Sequence, residues 1–300
     1  MTMFDRFIFV DWSANSTPKT GKDSIWIAEV SGGSGITLSN PPTRDEATQA
    51  VLKSLRQAVL QRQRVLVGFD FAYSYPQAVL QSIASNQGPG NFSALWEVLY
   101  EKIQDGEGNV NDRYSFAAWA NEHWLKELYF WGFLKPAHAH PWLVRTRDAT
   151  RLPEFRLAES NAPGIQPSRK LAYAGSVGSQ SLLGMRRLHV LRNDPILAPV
   201  SKVWPMETGF SLPPSSPGSA LIVHAEIYPT PVLSLANAAG IVMPTQVAGM
   251  VNDARQVWSC AALARHEDDN GTLAGRFARP QFLREGQVDQ AREEGWILWM

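Results

Sequence analysis

Val65-Leu66-Val67-Gly68-Phe69-Asp70 is an uninterrupted apolar run that ends on a carboxylate. Two other runs have the same form, Phe7-Ile8-Phe9-Val10-Asp11 and Leu221-Ile222-Val223-His224-Ala225-Glu226. Continuous rather than alternating apolar runs are typical of strands buried on both faces, as in the middle of an α/β sheet. Open α/β sheets bind their ligands in the crevice at the strand ends. The sequence therefore predicts an α/β sheet with carboxylates at a ligand-binding edge.

The segments around these runs predict the order of the elements. Residues 6–12 and 24–30 are predicted as strands, and a Ser/Gly-rich turn leads into a short third strand at 36–39. Thr43-Arg44-Asp45-Glu46 has the spacing of a capping box, in which Thr and Glu satisfy each other's unpaired amides at a helix start. The helix that follows carries apolar residues at helical spacing and should pack on the sheet. The predicted order is β-β-β-α-β, and its last strand ends at Asp70.

The middle of the chain interrupts this order. We interpret residues 76–200 as a helical and loop-rich insertion over the strand tips, within a single domain that spans 1–300. Helices are predicted from Phe116 to Phe133 and from Ser179 to Leu191. The pattern then resumes with an edge strand at 202–208, a Pro/Ser loop at 211–219, the strand ending at Glu226 and a helix at 249–265. The predicted fold class is α/β, a mixed sheet with helices on both faces and a large helical insertion.

Composition excludes several classes of protein. Lys and Arg together number 28, as do Asp and Glu, so the formal net charge is zero and no global field favours nucleic acid or a membrane surface. The single cysteine, Cys260, rules out internal disulfides, fits a reducing compartment and has the apolar neighbours of a core residue. Residues 1–11 lack the pattern of a signal peptide, and no apolar run approaches the roughly 18 residues that span a bilayer. We therefore expect a soluble, cytoplasmic protein without a membrane partner.

Four carboxylates form the candidate site. Asp11, Asp70 and Glu226 end predicted strands, and Asp253 opens the last predicted helix. Gathered at one edge, such groups repel one another unless a cation or a shared proton holds them. Mg²⁺ and Mn²⁺ prefer oxygen ligands, and two such ions about 4 Å apart can activate a water and stabilise a leaving oxygen in phosphoryl transfer. Simpler interpretations stay open, with Asp11 and Asp70 as turn residues and Asp253 as an acid that complements the helix macrodipole.

These acids, in this order of elements, resemble the RNase H-like superfamily, and in particular a bacterial family described as predicted RNase H-like nucleases. The resemblance is carried by Asp11, by Val67-Gly68-Phe69-Asp70-Phe71-Ala72-Tyr73-Ser74-Tyr75-Pro76, by Ala225-Glu226-Ile227-Tyr228-Pro229 and by Asp253 with the Ala-rich helix after it. It covers residues 5–75 and 220–265 and is weak between them. The resemblance implies an RNase H-like topology and metal ligands at the first-strand, fourth-strand and last-helix acids, which are Asp11, Asp70 and Asp253. The chain departs from many two-metal nucleases in lacking a strongly basic composition.

The sequence thus predicts a hydrolase that uses Mg²⁺ or Mn²⁺ to cleave phosphodiester bonds. Asp11 and Asp70 would bridge or flank the metal ions, while Asp253 would complete their coordination. Glu226 would bind metal or orient a water. The expected partner is a nucleic acid or a phosphorylated small molecule. Two alternatives stay open, a small-molecule kinase or phosphotransferase on the same fold and a non-catalytic binding or scaffold protein with a vestigial site. The sequence leaves the oligomeric state and the pathway open.

A basic segment supplies candidates for substrate binding. Residues 145–192 contain nine Lys or Arg against three Asp or Glu, an excess that can neutralise substrate phosphates or simply form a solvated basic face. Within this segment, Gly175-Ser176-Val177-Gly178-Ser179-Gln180-Ser181 precedes a predicted helix. Glycine-rich backbone at a helix start can bind anions, although a plain helix-starting loop explains the stretch as well. The candidate substrate-binding residues are Arg169, Lys170, Ser176 and Gln180.

Overall fold

The structure is a computed structural model that describes residues 2–161, 164–213 and 218–300. The chain forms two compact units, each built from segments distant in sequence. Unit 1 comprises Met1–Asp70, Leu191–Leu283 and Ile297–Trp299, and unit 2 comprises Phe71–Val190, Arg284–Trp296 and Met300. The predicted insertion at 76–200 overlaps unit 2 over most of its length, and its position over the strand tips stays a prediction.

One mixed sheet forms the centre of unit 1. Its strands are β1 (Arg6–Asp11), β2 (Trp26–Ser31), β3 (Thr37–Ser39), β4 (Arg64–Phe69), β5 (Ser201–Val203), β6 (Leu221–Ile227) and β7 (Ile297–Leu298). The order across the sheet is β3-β2-β1-β4-β6-β5, and β7 pairs with the last residues of β6. β2 is antiparallel to β1 and to β3, whereas β4, β5, β6 and β7 pair in parallel fashion. The predicted mixed α/β sheet, with antiparallel strands first and parallel strands after them, is confirmed.

Helices of unit 1 lie on both faces of this sheet. In chain order the helices are α1 (Arg44–Leu60), α2 (Gln77–Ser85), α3 (Phe92–Lys102), α4 (Arg113–Ala120), α5 (Leu157–Ser160), α6 (Val177–Arg192), α7 (Pro229–Ala238), α8 (Thr245–Ala248), α9 (Asn252–Asp269) and α10 (Glu285–Glu294). α1 lies on the face that carries Arg6 and Glu29, because Ser54 Oγ accepts from Arg6 Nη1 at 2.8 Å and donates to Glu29 Oε1 at 2.7 Å. α9 contacts β1 and β2 on the opposite face, where Asp11 points and the buried Cys260 lies.

α1 begins where the capping box predicts. Thr43 Oγ1 accepts from the backbone N–H of Glu46 at 3.2 Å and donates to its side chain at 3.0 Å. On the predicted apolar face, Ala47, Val51 and Leu55 are buried. The predicted start and packing face of this helix are confirmed, and the helix leads directly into β4.

The helix predicted from Phe116 to Phe133 is wrong in its second half. α4 is followed by a π turn at Asn121–Leu125, and Lys126 then adopts a left-handed conformation with φ of 55°. The side chain of Asn121 holds the returning chain, since its Nδ2 donates to Phe130 O and its Oδ1 accepts from Phe130 N, both at 2.9 Å. A left-handed residue cannot continue a right-handed helix. The aromatic spacing of this segment therefore reflects core packing of an irregular chain.

Three further predicted elements appear with shifted boundaries. The helix predicted at 179–191 is α6, the strand predicted at 202–208 is the shorter edge strand β5, and the helix predicted at 249–265 is α9. The Pro/Ser loop predicted at 211–219 includes residues 214–217, which lie outside the described residues. Among the described residues, no helix combines the length and the apolar character needed to cross a bilayer.

Candidate functional site

Asp11 and Asp70 stand side by side at one edge of the sheet. β1 and β4 are parallel and Val10 pairs with Phe69, so the next residue of each strand, Asp11 or Asp70, leaves the sheet at the same level. Neighbouring strands lie about 4.8 Å apart, and residues in register on parallel strands point to the same face. The two carboxylates therefore share both an edge and a face of the sheet.

Backbone hydrogen bonds hold Asp70 in place. Its Oδ1 accepts from the N–H of Trp12 at 2.6 Å, and its own N–H donates to Val10 O at 3.3 Å. Burial raises the pKa of Asp70 to about 7, even though the hydrogen bonds to its carboxylate act in the opposite direction. The charges of Asp253 and Glu226 add to this rise in pKa. At neutral pH the site therefore keeps one carboxyl group near the midpoint of its titration.

Asp11 lies among other carboxylates. Burial is the largest cause that raises the pKa of Asp11 well above its usual range. The charges of the neighbouring acids add to this effect, in the order Asp70, Asp253 and Asp23. A carboxylate in such surroundings is stabilised in its charged form when a cation joins it. The edge is thus a concentrated site of negative potential.

α9 brings Asp253 to this edge. Asp253 lies in the first turn of α9, and its Oδ2 accepts from the backbone N–H of Asp23 at 2.6 Å. Asp23 has a φ of 54°, a conformation that Asp tolerates better than most residues. Sequence reasoning missed Asp23, although the hairpin of β1 and β2 offered a signal. Because Asp11 pairs with Trp26, the residues that precede β2 meet the end of β1.

Glu226 is buried at the same end of the sheet but belongs to the other face. It pairs with Phe69 rather than with Asp70. Consecutive residues of a strand point to opposite faces, so the Glu226 side chain leaves the sheet opposite the Asp70 side chain. Of the causes that act on the pKa of Asp70, the charge of Glu226 is the smallest named. The structure places Asp11 and Asp70 side by side, with Asp253 near enough to raise the pKa of both, and sets Glu226 on the other face.

Arg44 fixes the loop that follows Asp11. The guanidinium is buried, and its Nη1 donates to Ser13 O at 3.2 Å and to Asn15 O at 2.6 Å. Asn15 in turn donates from Nδ2 to Asp23 O at 2.6 Å. This chain of hydrogen bonds ties the end of β1 to the segment that carries Asp23. A site that positions carboxylates for catalysis needs this kind of rigid support.

The donor chemistry of these side chains suits a hard cation. Within residues 2–161, 164–213 and 218–300, no three His, Cys, Asp or Glu side chains are close enough together to hold one metal ion. Mg²⁺ is commonly bound by only one or two carboxylates, with water and substrate oxygens completing its coordination. The pair Asp11 and Asp70, which offers oxygen donors alone, fits that mode of binding.

The four candidate substrate-binding residues lie in unit 2. Arg169 is only 1% exposed, and its Nη2 lies 3.3 Å from Glu154 Oε1. Lys170 Nζ donates to a backbone carbonyl four residues later at 2.5 Å. Ser176 precedes α6, Gln180 lies in its first turn, and both are half-buried. The predicted contact of Arg169 with a substrate phosphate meets a physical obstacle, because its guanidinium is buried beside a carboxylate.

In the glycine-rich loop before α6, two backbone N–H groups are already hydrogen-bonded to backbone carbonyls. The N–H of Val177 donates to Gly175 O at 3.0 Å, and the N–H of Gly178 donates to Lys170 O at 2.9 Å. Amides that are already paired offer less to a bound anion than a nest of convergent N–H groups does. These hydrogen bonds favour the plain helix-starting loop over the predicted phosphate site.

The strand order of unit 1, antiparallel first and parallel after, is compatible with the RNase H-like fold that the sequence resembles. A fold by itself does not identify an activity, because one architecture serves many functions. No protein-family model, curated protein or solved structure matches the chain.

Proposed function

We propose that unit 1 is an RNase H-like hydrolase that uses Mg²⁺ or Mn²⁺ to cleave phosphodiester bonds. The observation that carries this proposal is the half-buried pair Asp11 and Asp70 at the ends of neighbouring parallel strands, with Asp253 adding a third negative charge. Such an arrangement destabilises the protein unless a cation or protons compensate. Perturbed carboxylates of this kind cluster at functional sites, where their cost to stability is retained for activity.

The roles of the residues follow from their hydrogen bonds. Asp11 and Asp70 would hold the cation, and Asp253, in the first turn of α9, would add negative charge beside it. When bound, a divalent cation supplies a Lewis acid that activates a water and stabilises the leaving oxygen of the ester. The N–H of Trp12 orients Asp70, and the N–H of Asp23 orients Asp253. Carboxylates held in this way need little reorganisation when a substrate arrives.

Calorimetric titration of metal-stripped protein with Mn²⁺ tests the site. The wild type is compared with the Asp11→Asn/Asp70→Asn double variant and with Asp289→Asn, a control whose side chain is 90% exposed in α10. We expect the wild type and the control to bind Mn²⁺ and the double variant to lose binding. Cleavage of single-stranded and duplex DNA and RNA is then assayed with the same three proteins.

Two results would overturn the proposal. One is Mn²⁺ binding that survives in the double variant, which would place the metal elsewhere. The other is a wild type that binds no Mn²⁺ either alone or with an oligonucleotide present. Saturable ATP binding without cleavage of any nucleic acid would instead favour a phosphotransferase.

A further inference from the structure

The loop between β1 and β2, residues 12–25, lies at the edge of the sheet that carries the candidate site. It leaves β1 directly after Asp11 and returns to β2 at Trp26, the residue that pairs with Asp11. The whole β1–β2 loop belongs to unit 1. Carboxylates hold a cation, but the phosphates of a substrate need positively charged partners of their own. Because the loop borders Asp11, its side chains are the first candidates for that contact.

The backbone of the β1–β2 loop is held at several points. The N–H of Lys19 donates to Pro42 O at 2.9 Å, and the N–H of Gly21 donates to Asn40 Oδ1 at 2.6 Å. Gly21 O accepts from Trp26 Nε1 at 2.9 Å. These contacts add to those of the buried guanidinium described above. Surface loops are usually more mobile than the elements they connect. This loop instead presents its side chains from a fixed backbone, as a binding site requires.

A hydrogen bond joins the loop to the acids of the site. Asp253 Oδ2 accepts from the N–H of Asp23 at 2.6 Å, and the charge of Asp23 reaches Asp11, whose pKa it helps to raise. Lys22 directly precedes Asp23. Because only one carbonyl carbon separates the Lys22 α-carbon from that N–H, the α-carbon lies within about 5.5 Å of Asp253 Oδ2. The loop therefore brings a lysine to the acids that would bind the cation.

Both lysines of the loop are available to a ligand. Lys22 is exposed, and in the part of the chain that the structure describes no hydrogen bond or ion pair engages its ammonium. Lys19 Nζ lies 3.7 Å from Asp23 Oδ2, and the two side chains are 40% and 69% exposed. Such an exposed ion pair contributes little to stability, so Lys19 can leave it for a phosphate. Several arginines of the segment 145–192 are instead held in ion pairs of 2.6–3.3 Å.

We propose that Lys19 and Lys22 bind backbone phosphates of a nucleic-acid strand that lies across the cation held by Asp11 and Asp70. This inference rests on the proposed function, because it names the residues with which the same site binds its substrate. An ammonium group binds a phosphate as a point charge and does not read the bases. The site therefore accepts strands of any sequence, and its affinity depends on contacts from one loop rather than on a broad basic surface.

Fluorescence anisotropy with a labelled single-stranded DNA tests the loop, in an Asp11→Asn background that removes the proposed metal site and with it cleavage. Lys19→Gln/Lys22→Gln should weaken binding about tenfold at low salt, as expected for two exposed charge contacts. It should also make the slope of log affinity against log salt shallower by about 1.4, since each phosphate contact on a single strand contributes about 0.7. The control Lys53→Gln/Lys135→Gln removes the same charge from exposed positions outside the loop and should change neither quantity.

Two further measurements separate phosphate binding from a structural role of the loop. Lys19→Arg/Lys22→Arg keeps both positive charges and should restore the slope. In an otherwise wild-type chain, Lys19→Gln/Lys22→Gln should bind Mn²⁺ at least as tightly as the unaltered protein, because the substitutions remove positive charge beside the acids.

Four results would overturn the inference. These are an unchanged slope in Lys19→Gln/Lys22→Gln, the same loss of slope in the control pair, no binding of the oligonucleotide by Asp11→Asn at low salt, and loss of Mn²⁺ binding in the lysine variant. The proposed function fails in a different way, through a wild type that binds no Mn²⁺ alone or with the oligonucleotide. If the lysine variant then still loses slope, the loop remains a phosphate-binding element and the hydrolase is excluded.

Discussion

Asp11 and Asp70 both lose hydration on folding, and burial is the first cause that raises the pKa of each group. Neighbouring carboxylates add repulsion at both groups, including the repulsion between Asp11 and Asp70 themselves. An unpaired charge taken out of water destabilises a protein by several kcal/mol per ion even after the surroundings relax. The metal-free protein should therefore have a lower free energy of unfolding than its core alone would provide.

Asp11→Asn should stabilise the metal-free protein at pH 8. Asn keeps the size of the side chain and removes one half-buried charge from a group of acids. We expect the free energy of unfolding in urea to rise by about 0.5–2 kcal/mol, the range common for single stabilising substitutions. Asp289→Asn, at an exposed position of α10, should leave it unchanged. A clear loss of stability in Asp11→Asn would show that the carboxylate has a structural role instead.

The stability of the metal-free protein should also depend on pH through Asp70. The folded protein keeps a proton on this group up to about pH 7, whereas the unfolded chain releases it near the ordinary value of 3.8. Between these values the native state binds more protons than the unfolded state, so the contribution of Asp70 to stability is lost as pH rises. The difference in unfolding free energy between Asp70→Asn and the wild type should therefore grow in favour of the variant from pH 5 to pH 8.

Urea unfolding of both proteins at pH 5, 6, 7 and 8 measures this difference. Saturating Mn²⁺ at pH 8 should raise the unfolding free energy of the wild type again and leave that of Asp70→Asn unchanged, because ligands stabilise only the state that binds them. A difference that does not vary with pH would contradict the raised pKa of Asp70.

Sequence patterns predicted part of the candidate site for identifiable reasons. Asp11 and Asp70 end clear apolar runs, and Asp253 opens an Ala-rich helix, so the elements that carry them could be read from periodicity. Asp23 could not, because it lies in the loop before β2 and is tied to the site by the hydrogen bond from its backbone N–H to Asp253, 230 residues away in sequence. The face to which Glu226 points depends on the register of β6 against β4, and a shift of one residue would reverse it.

At the scale of the elements, β4 needs Gly68 for close packing between its neighbours. A Cβ added at this position would lie 2.8 Å from Ile227 Cγ2 and 2.8 Å from Phe9 Cδ1. Both are core side chains of the strands that flank β4, β6 and β1, and they have little room to move. The glycine therefore lets three parallel strands pack next to the end that carries Asp70.

Gly68→Ala should destabilise unit 1 by about 1–3 kcal/mol, the usual cost of overpacking a core. The matched control is Gly33→Ala in the turn between β2 and β3, where an added Cβ meets nothing within 4 Å. Urea unfolding of the two variants should show a lower midpoint for Gly68→Ala and a midpoint near the wild type for Gly33→Ala. Equal midpoints would mean that the strands adjust at no cost.

A helix start could be placed from the sequence where it carries a chemical signal. Thr43 marks the start of α1 through its capping box. By contrast, α7 begins at Pro229 and α2 follows Pro76, each without a side-chain cap. Proline is common outside helices and is also well tolerated in the first turn of a helix, so a proline alone does not distinguish a loop from a helix start. The false extension of α4 has a different cause, since the left-handed Lys126 ends the helical region with no glycine or proline to mark it.

At the scale of the whole molecule, the net charge counted along a sequence segment differs from the charge that the folded segment offers to a ligand. Basic residues of the segment 145–192 form ion pairs with acids outside it, namely Arg151 with Glu127, Arg187 with Asp105 and Arg192 with Glu207. Others pair inside it, as Arg147 and Arg169 do with Glu154. The excess of positive charge counted along the sequence is therefore larger than the charge available to phosphates.

The affinity for a nucleic acid should accordingly vary little with salt. Each phosphate that a protein neutralises adds about 0.7–0.9 to the slope of log affinity against log salt. With a net charge of zero and several arginines of the basic segment in ion pairs, the chain should engage few phosphates, and we expect a slope shallower than about −3. Fluorescence anisotropy of a labelled oligonucleotide with Asp11→Asn, which removes the proposed metal site, measures the slope without cleavage.

Glu127→Gln tests whether ion pairing keeps Arg151 from binding phosphates. Arg151 is 89% exposed and its Nε lies 2.6 Å from Glu127 Oε1, so the substitution releases its charge while the arginine stays in place. If Arg151 can reach a bound strand, the slope should steepen by about one. If the slope of Asp11→Asn alone is already steeper than about −5, as for proteins with a broad phosphate-binding surface, the pairing of the arginines does not control binding and the argument fails.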